Sequence, residues 1–172
     1  TLALLHYFVP LARRIGLVDR PNSVKVHDEP IPLVGGLAIF VAFAISMASL
    51  EVGLTPYRPL LVAGALLVIV GMLDDFHELS STARFGAQIV AALVMCFWGD
   101  VRLQDMGVLR ATGEITQLGL WEVPLTVFCV VGVVNAINMA DGLDGLSSGL
   151  VGIALAAMLF ESSMAGRIAD AS

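Results

Sequence analysis

The 172-residue chain carries nine basic and fifteen acidic residues, a formal net charge of −6, and 58% hydrophobic against 14% charged positions. Soluble domains average about 25% charged and about 45–50% apolar residues, so a mean hydropathy of +0.89 points away from a soluble domain and to an integral membrane protein. The acidic balance and the lack of a basic stripe argue against a nucleic-acid partner.

Leu2–Ala12 is apolar and ends at Arg13-Arg14. At about 1.5 Å per residue it is too short for a hydrocarbon core about 30 Å thick, and it reads as the end of a crossing that begins before residue 1. Arg13, Arg14, Arg20 and Lys25 follow closely, and by the positive-inside rule their loop is expected to be cytoplasmic. Apolar runs then cover Leu33–Leu50, Leu60–Leu73, Phe85–Trp98, Val123–Ala140 and Leu146–Phe160. The expected fold is all-α: a polytopic transmembrane helical bundle of about five full crossings plus a truncated first helix, in one membrane-embedded domain over 1–172. The longest polar connector, Gly99–Glu122, has a loosely alternating, glycine-flanked portion that predicts a small extracytoplasmic hairpin at 111–119. Cys96 and Cys129 lie inside apolar runs and read as small buried hydrophobes.

Alternation of sides puts Arg13–Pro32, Asp74–Arg84 and Asp141–Leu146 on one membrane face, and these are the segments with unusual chemistry. Asp74-Asp75 closes an apolar helix at its dipole-negative end, where two adjacent acids repel each other unless a cation neutralises them. A solvated helix end is the plainer alternative. Asn135, Asn138, Asp141 and Asp144 recur at three-residue steps with Gly142 and Gly145 interleaved. Residues three apart are neighbours on a helix, so they form a slanted ridge of oxygen donors suited to a metal or a phosphate. Hydrogen bonding between helices is the alternative for the asparagines. Lys25 offers a point charge for phosphate and His27 a polar contact or proton carrier. Either is equally at home on an ordinary surface, and Arg84 at a membrane edge.

Together these stretches resemble the polyprenyl-phosphate N-acetylhexosamine-1-phosphate transferases. The resemblance rests on Asp19-x-Pro21-Asn22-x-x-Lys25-x-His27 with Ile31-Pro32-x-x-Gly35-Gly36, on Leu73-Asp74-Asp75 with Arg84, and on Asn135-x-x-Asn138-x-x-Asp141-Gly-x-Asp144-Gly145. It implies transfer of a sugar-1-phosphate from a UDP-N-acetylhexosamine, N-acetylglucosamine by the Ile-Pro-x-x-Gly-Gly form, to undecaprenyl phosphate. UMP leaves, at the cytoplasmic face of a multi-pass plasma-membrane protein that starts cell-envelope polysaccharides. It implies catalytic roles for Asp74 and Asp75. Asn22, Lys25, His27, Arg84, Asn135, Asn138, Asp141 and Asp144 would contact substrate, and Asp75 and Asp144 would hold Mg2+, with Mn2+ as a substitute. Membrane lipid is an expected partner, and a homodimer is left open. Val24 stands where such enzymes often carry an arginine, and the family's later Gly-Asp-x-Gly-Ser and histidine-rich loops are absent. The chain therefore reads as the N-proximal part of a fold of ten or eleven crossings. The competing class is a secondary transporter or ion pathway, but such sites gather near the bilayer midplane between related repeats, and no repeat is visible. A non-catalytic membrane scaffold would leave the motifs as coincidence.

Overall fold

The computed structural model describes residues 1–19, 31–32, 34–50, 53–77, 79–108, 115–142 and 145–171. Six α-helices account for most of them: α1 Leu2–Ile15, α2 Gly35–Ala48, α3 Arg58–His77, α4 Ser81–Phe97, α5 Glu122–Ala140 and α6 Leu146–Ala171. The fold is all-α and polytopic, as its composition predicts. Thr55–His77, Gly119–Ala140 and Leu146–Met164 are long and apolar enough to cross a membrane, each of the first two gaining a single 3-10 turn at its start. Gly35–Ala48 and Ser81–Phe97 are apolar but shorter. At 1.5 Å per residue they reach about 21 and 26 Å, against a core of about 30 Å. Three of the five expected crossings thus have full span length among the described residues. α2 falls short because its backbone turns at Ser49, before the end of the apolar run.

The chain divides into two compact units, Thr1–Val131 and Gly132–Ser172. In the first, α1 ends where Gly16 takes φ +78°, a left-handed conformation that suits a residue without Cβ, and Leu17 N–H returns to the Ala12 carbonyl at 2.9 Å. That turn folds Leu17 back onto Ala12 and Val34, a buried cluster against which Phe8, Val9 and Met72 pack. The cluster gathers the ends of α1 and α3 with the start of α2. Beside it, Val18–Asp19 (β1) pairs antiparallel with Ile31–Pro32 (β2), Val18 opposite Pro32 and Asp19 opposite Ile31.

α3 and α4 form the most closely packed helix pair. Their buried side chains are small, namely Pro59 and Ala63 on α3 and Ala91, Ala92 and Cys96 on α4. Apolar residues gain little by leaving lipid for protein, so close backbone approach through small residues is what holds such helices together. Gly64 of α3 lies under the Phe40 ring of α2, where an added Cβ would come within 3.0 Å of a ring carbon. At the far end of α4 a Cβ on Gly99 would lie 2.8 Å from the Met95 carbonyl oxygen and 3.3 Å from Pro59 Cβ. Cys96 is buried as expected, whereas Cys129 is exposed on α5.

The connector between α4 and α5 contains antiparallel pairing that extends beyond the expected place. Met106 N–H donates to the Thr116 carbonyl, Leu118 N–H to that of Gln104, and Asp105 faces Gln117. One arm, 116–118, falls within the expected 111–119 and pairs with 104–107, while residues 111–114 of that expectation lie outside the described residues. Gly107 has φ +68°, and its N–H donates to Asp105 Oδ1 at 2.9 Å, so the turn out of the first arm begins earlier than the run of glycines suggested. Thr126 then ties the connector to α5: its hydroxyl donates to the Glu122 carbonyl at 2.6 Å and accepts from Leu103 N–H at 2.8 Å.

Candidate functional site

The helix that bears Asp74-Asp75 runs two residues further than its apolar run implies. α3 continues past both acids to His77, so they occupy its last turn and take helical geometry. Two residues beyond the helix lie between them and Ser80, whose hydroxyl caps the next helix by accepting from Ala83 N–H at 3.3 Å. This tight corner brings Arg84, in the first turns of α4, back toward α3. Its Nη1 donates to Asp74 Oδ2 at 3.1 Å, and Nη2 reaches Ser81 Oγ at 3.4 Å. The pair is open to water, the Arg84 side chain 44% and that of Asp74 24% exposed.

The electrostatic consequence is local. The last carbonyls of α3 already present partial negative charge, and two carboxylates add to it. Arg84 neutralises one of the two, while Asp75 is the more exposed acid. Ser81 braces the guanidinium from the same turn of α4. What results is an acidic helix end with the Arg84 guanidinium on Asp74, open to water at the end of a span-length helix.

The second set of expected residues belongs to the other compact unit. Asn135 and Asn138 lie on the C-terminal part of α5, the former half-buried and the latter exposed. The helix ends at Ala140, so Asp141 starts the following turn, although its N–H still reaches the Ile137 carbonyl at 3.0 Å. The ridge therefore runs off the helix end, not along the helix throughout. Gly145, at φ +78°, immediately precedes α6, its carbonyl accepting from Gly149 N–H at 2.9 Å. In the first turn of α6, Ser147 Oγ donates to Asp141 Oδ1 at 2.6 Å. That length is typical of a hydroxyl on a carboxylate, and it fixes one carboxylate oxygen across the turn.

Ser147 and Ser81 are additions that motif reading passed over. Each is a serine in the first turn of a helix that closely follows an acid-bearing helix end, where short hydroxyl side chains characteristically make local hydrogen bonds. Asn22, Lys25, His27 and Asp144 lie outside the described residues. Among the described residues no three His, Cys, Asp or Glu side chains form a metal-binding group. The donor chemistry of Asp74 and Asp75 nonetheless fits Mg2+, which takes hard oxygen ligands and often only one or two protein carboxylates, completing its shell with water and phosphate.

Span-length apolar helices with an acid pair and an arginine at one helix end define a membrane protein whose polar chemistry is concentrated at helix termini. The model of glycosyl transferase family 4 matches residues 57–171, and the chain belongs to that family. It is 36% identical over 159 residues to a Bacillus subtilis (strain 168) protein named "Probable undecaprenyl-phosphate N-acetylglucosaminyl 1-phosphate transferase", covering 92% of this chain and 44% of that protein. It is 33% identical over 158 residues to the undecaprenyl-phosphate alpha-N-acetylglucosaminyl 1-phosphate transferase of Escherichia coli (strain K12), covering 92% and 43%. With the protein of that name from Salmonella typhimurium it shares 37% over 155 residues, covering 88% and 42%. The chain thus spans less than half the length of these relatives. No solved structure matches it.

Proposed function

We propose that the chain is part of an enzyme that transfers N-acetylglucosamine-1-phosphate from UDP-N-acetylglucosamine to undecaprenyl phosphate. The observation that carries this reading is the acid pair in the last turn of a span-length helix, with Arg84 held on Asp74 at 3.1 Å, in a family-4 chain. A phosphate oxygen of the lipid attacks the sugar-linked phosphorus of the nucleotide sugar. The bond from that phosphorus to the bridging oxygen breaks, UMP departs with the bond's electrons, and a polyprenyl-diphosphate sugar remains. Such chemistry depends on positioning and charge neutralisation.

Asp74 and Asp75 orient the lipid phosphate and accept its proton where it carries one. Arg84 stands ready to exchange its carboxylate partner for a phosphate oxygen, as a planar guanidinium suits. Asn135, Asn138 and Asp141 hold the nucleotide sugar, with Ser147 fixing the Asp141 carboxylate. Asn22, Lys25 and His27 contact the diphosphate and uridine. Mg2+ or Mn2+, held by Asp75 and Asp144, would neutralise charge on the phosphate oxygens. The reaction takes place on the cytoplasmic face of the plasma membrane, by the basic residues of the first loop and the alternation of spans.

The test is conversion of radiolabelled UDP-N-acetylglucosamine into solvent-extractable label, with stoichiometric UMP, by a protein of the relatives' length that carries this sequence. Undecaprenyl phosphate and magnesium are supplied, and the Escherichia coli relative is assayed in parallel. Label that stays aqueous here while the relative converts it refutes the proposal.

A further inference from the structure

α1 ends in basic residues and has two unlike sides. Ala12 belongs to the buried cluster with Leu17 and Val34, and Leu5, Phe8 and Val9 pack against it. Leu2, His6, Pro10 and Arg13 are exposed, and their spacing of three to four residues puts them on one flank of the helix. With Leu5 and Val9 they line an open concavity of about 580 Å³. Its lining is apolar apart from His6, whose ring meets Tyr7 edge-on, and Arg13 in the last turn of the helix. At 1.5 Å per residue the lined stretch runs about 16 Å, close to one leaflet's share of a hydrocarbon core about 30 Å thick.

The charge around this flank runs against that of the whole molecule. Residues 1–18 carry two arginines and no acid, in a chain whose net charge is −6. Arg84 and Arg102 each meet a carboxylate, whereas Arg13 and Arg14 have no ion-pair partner among the described residues. Helical side chains lean toward the helix N-terminus, which carries the Arg13 stem back along the concavity that it lines. Arg14 is turned about 100° further round the helix and does not line it. A guanidinium at the mouth of an apolar channel is complementary to a phosphate carried on hydrocarbon.

We propose that this flank of α1 seats one anionic phospholipid, its phosphate on the Arg13 guanidinium and an acyl chain along Val9, Leu5 and Leu2. The occupant is anionic because an arginine without a carboxylate partner, in a stretch free of acids, is best met by a headgroup of net negative charge. A zwitterionic headgroup brings an ammonium of its own, which opposes the arginine. It is a diacyl phospholipid because the lined stretch matches a chain one leaflet deep, and a polyprenyl chain is several times longer. Arg14 contributes only the longer-range attraction of a second positive charge, which salt screens.

The experiment titrates a detergent-solubilised protein of the relatives' length carrying this sequence with phosphatidylglycerol or with phosphatidylcholine of the same acyl chains. Bound lipids are counted by native mass spectrometry. The first phosphatidylglycerol is expected to bind about tenfold tighter than the first phosphatidylcholine, the scale of one charge-assisted hydrogen bond. Arg13→Gln should abolish that preference and Arg13→Lys should keep part of it. Arg14→Gln should weaken it by no more than about twofold at physiological salt. Glycerol phosphate, which has the charge without the chains, should not compete. Equal affinity for the two lipids overturns the proposal. So do equal losses in the Arg13→Gln and Arg14→Gln variants, which would mark diffuse attraction to a basic helix end. Lipid binding indifferent to Arg13→Gln would mean that protein covers the flank. Displacement of phosphatidylglycerol by equimolar undecaprenyl phosphate would give the flank to the acceptor lipid and likewise overturn it.

Discussion

Asp74→Asn should separate chemistry from stability. In the structure the carboxylate gains one exposed ion pair, 3.1 Å from Arg84, and such pairs contribute about 0.2–1 kcal/mol. Against this, a negative charge in the last turn of a helix costs about 0.3–1 kcal/mol. Repulsion from Asp75 at roughly 6 Å adds about 0.7 kcal/mol in water. The costs outweigh the gain by about 0–1.5 kcal/mol, and asparagine keeps an oxygen that Arg84 can still reach. The variant should therefore be unchanged or more stable by about 1 kcal/mol, which for a chain of this size is a shift of roughly 2–4 °C in Tm. Catalysis should respond differently, because loss of one preorganised charge at a reacting centre costs about 10²–10³ in rate. Thermal melts in detergent measure the first quantity. The second is initial-rate UMP release by a protein of the relatives' length. A variant that keeps more than a tenth of the wild-type rate, or that melts well below the wild type, refutes the reasoning.

Arg84→Gln, which leaves Asp74 without its guanidinium, should lower transfer by about tenfold or more, since hydrogen bonds to charged groups are worth about 1.5–3 kcal/mol; an unchanged rate would remove Arg84 from the site. Ser147→Ala should raise KM for the UDP-sugar about fivefold with little change in Tm, and Ser147→Thr should restore it, because about 1 kcal/mol is at stake in one exposed hydrogen bond. Gly99→Ala should destabilise the chain by about 1–3 kcal/mol through overpacking, since its methyl would meet backbone at Met95; a neutral melt would show that the corner relaxes freely. In sealed vesicles, single cysteines at Ser80 and Asp105 should react with an impermeant maleimide from opposite sides, and labelling from one side would overturn the crossing pattern.

Much of this was legible from apolar runs and the charges between them, since a bilayer imposes a length on any helix that crosses it. The runs located α2 to α6, but their ends were less well read. Hydropathy stops at Leu73, whereas the backbone of α3 continues through Asp74 and Asp75 to His77 because a helix end solvated by water can accept polar residues without breaking its hydrogen bonds. In the opposite direction, Leu50 belongs to an apolar run but lies beyond the turn at Ser49. The pairing of 104–107 with 116–118 extends beyond the 111–119 that the glycines suggest, because a hairpin depends on partners whose spacing composition does not reveal. Arg84 was legible as a motif member, but its contact with Asp74 arises from a corner geometry set by the Ser80 cap. Ser147 carried no signal beyond being a serine in a first turn.

The apolar length of α3 also bears on the lipid around it. Its charge-free stretch lies between Arg58 and Asp74, and sixteen helical steps between them amount to about 24 Å, some 6 Å less than a typical hydrocarbon core. A helix with this mismatch thins the bilayer beside it or draws its terminal charges inward, at a fraction of a kcal/mol per Å. Arg58 has a long stem with which to reach outward, but aspartate does not. The deformation should therefore fall mainly at the acid end, drawing surrounding headgroups toward the level of Asp74. A phosphate carried on a membrane-anchored chain would meet the carboxylates at its own depth, without having to rise out of the leaflet.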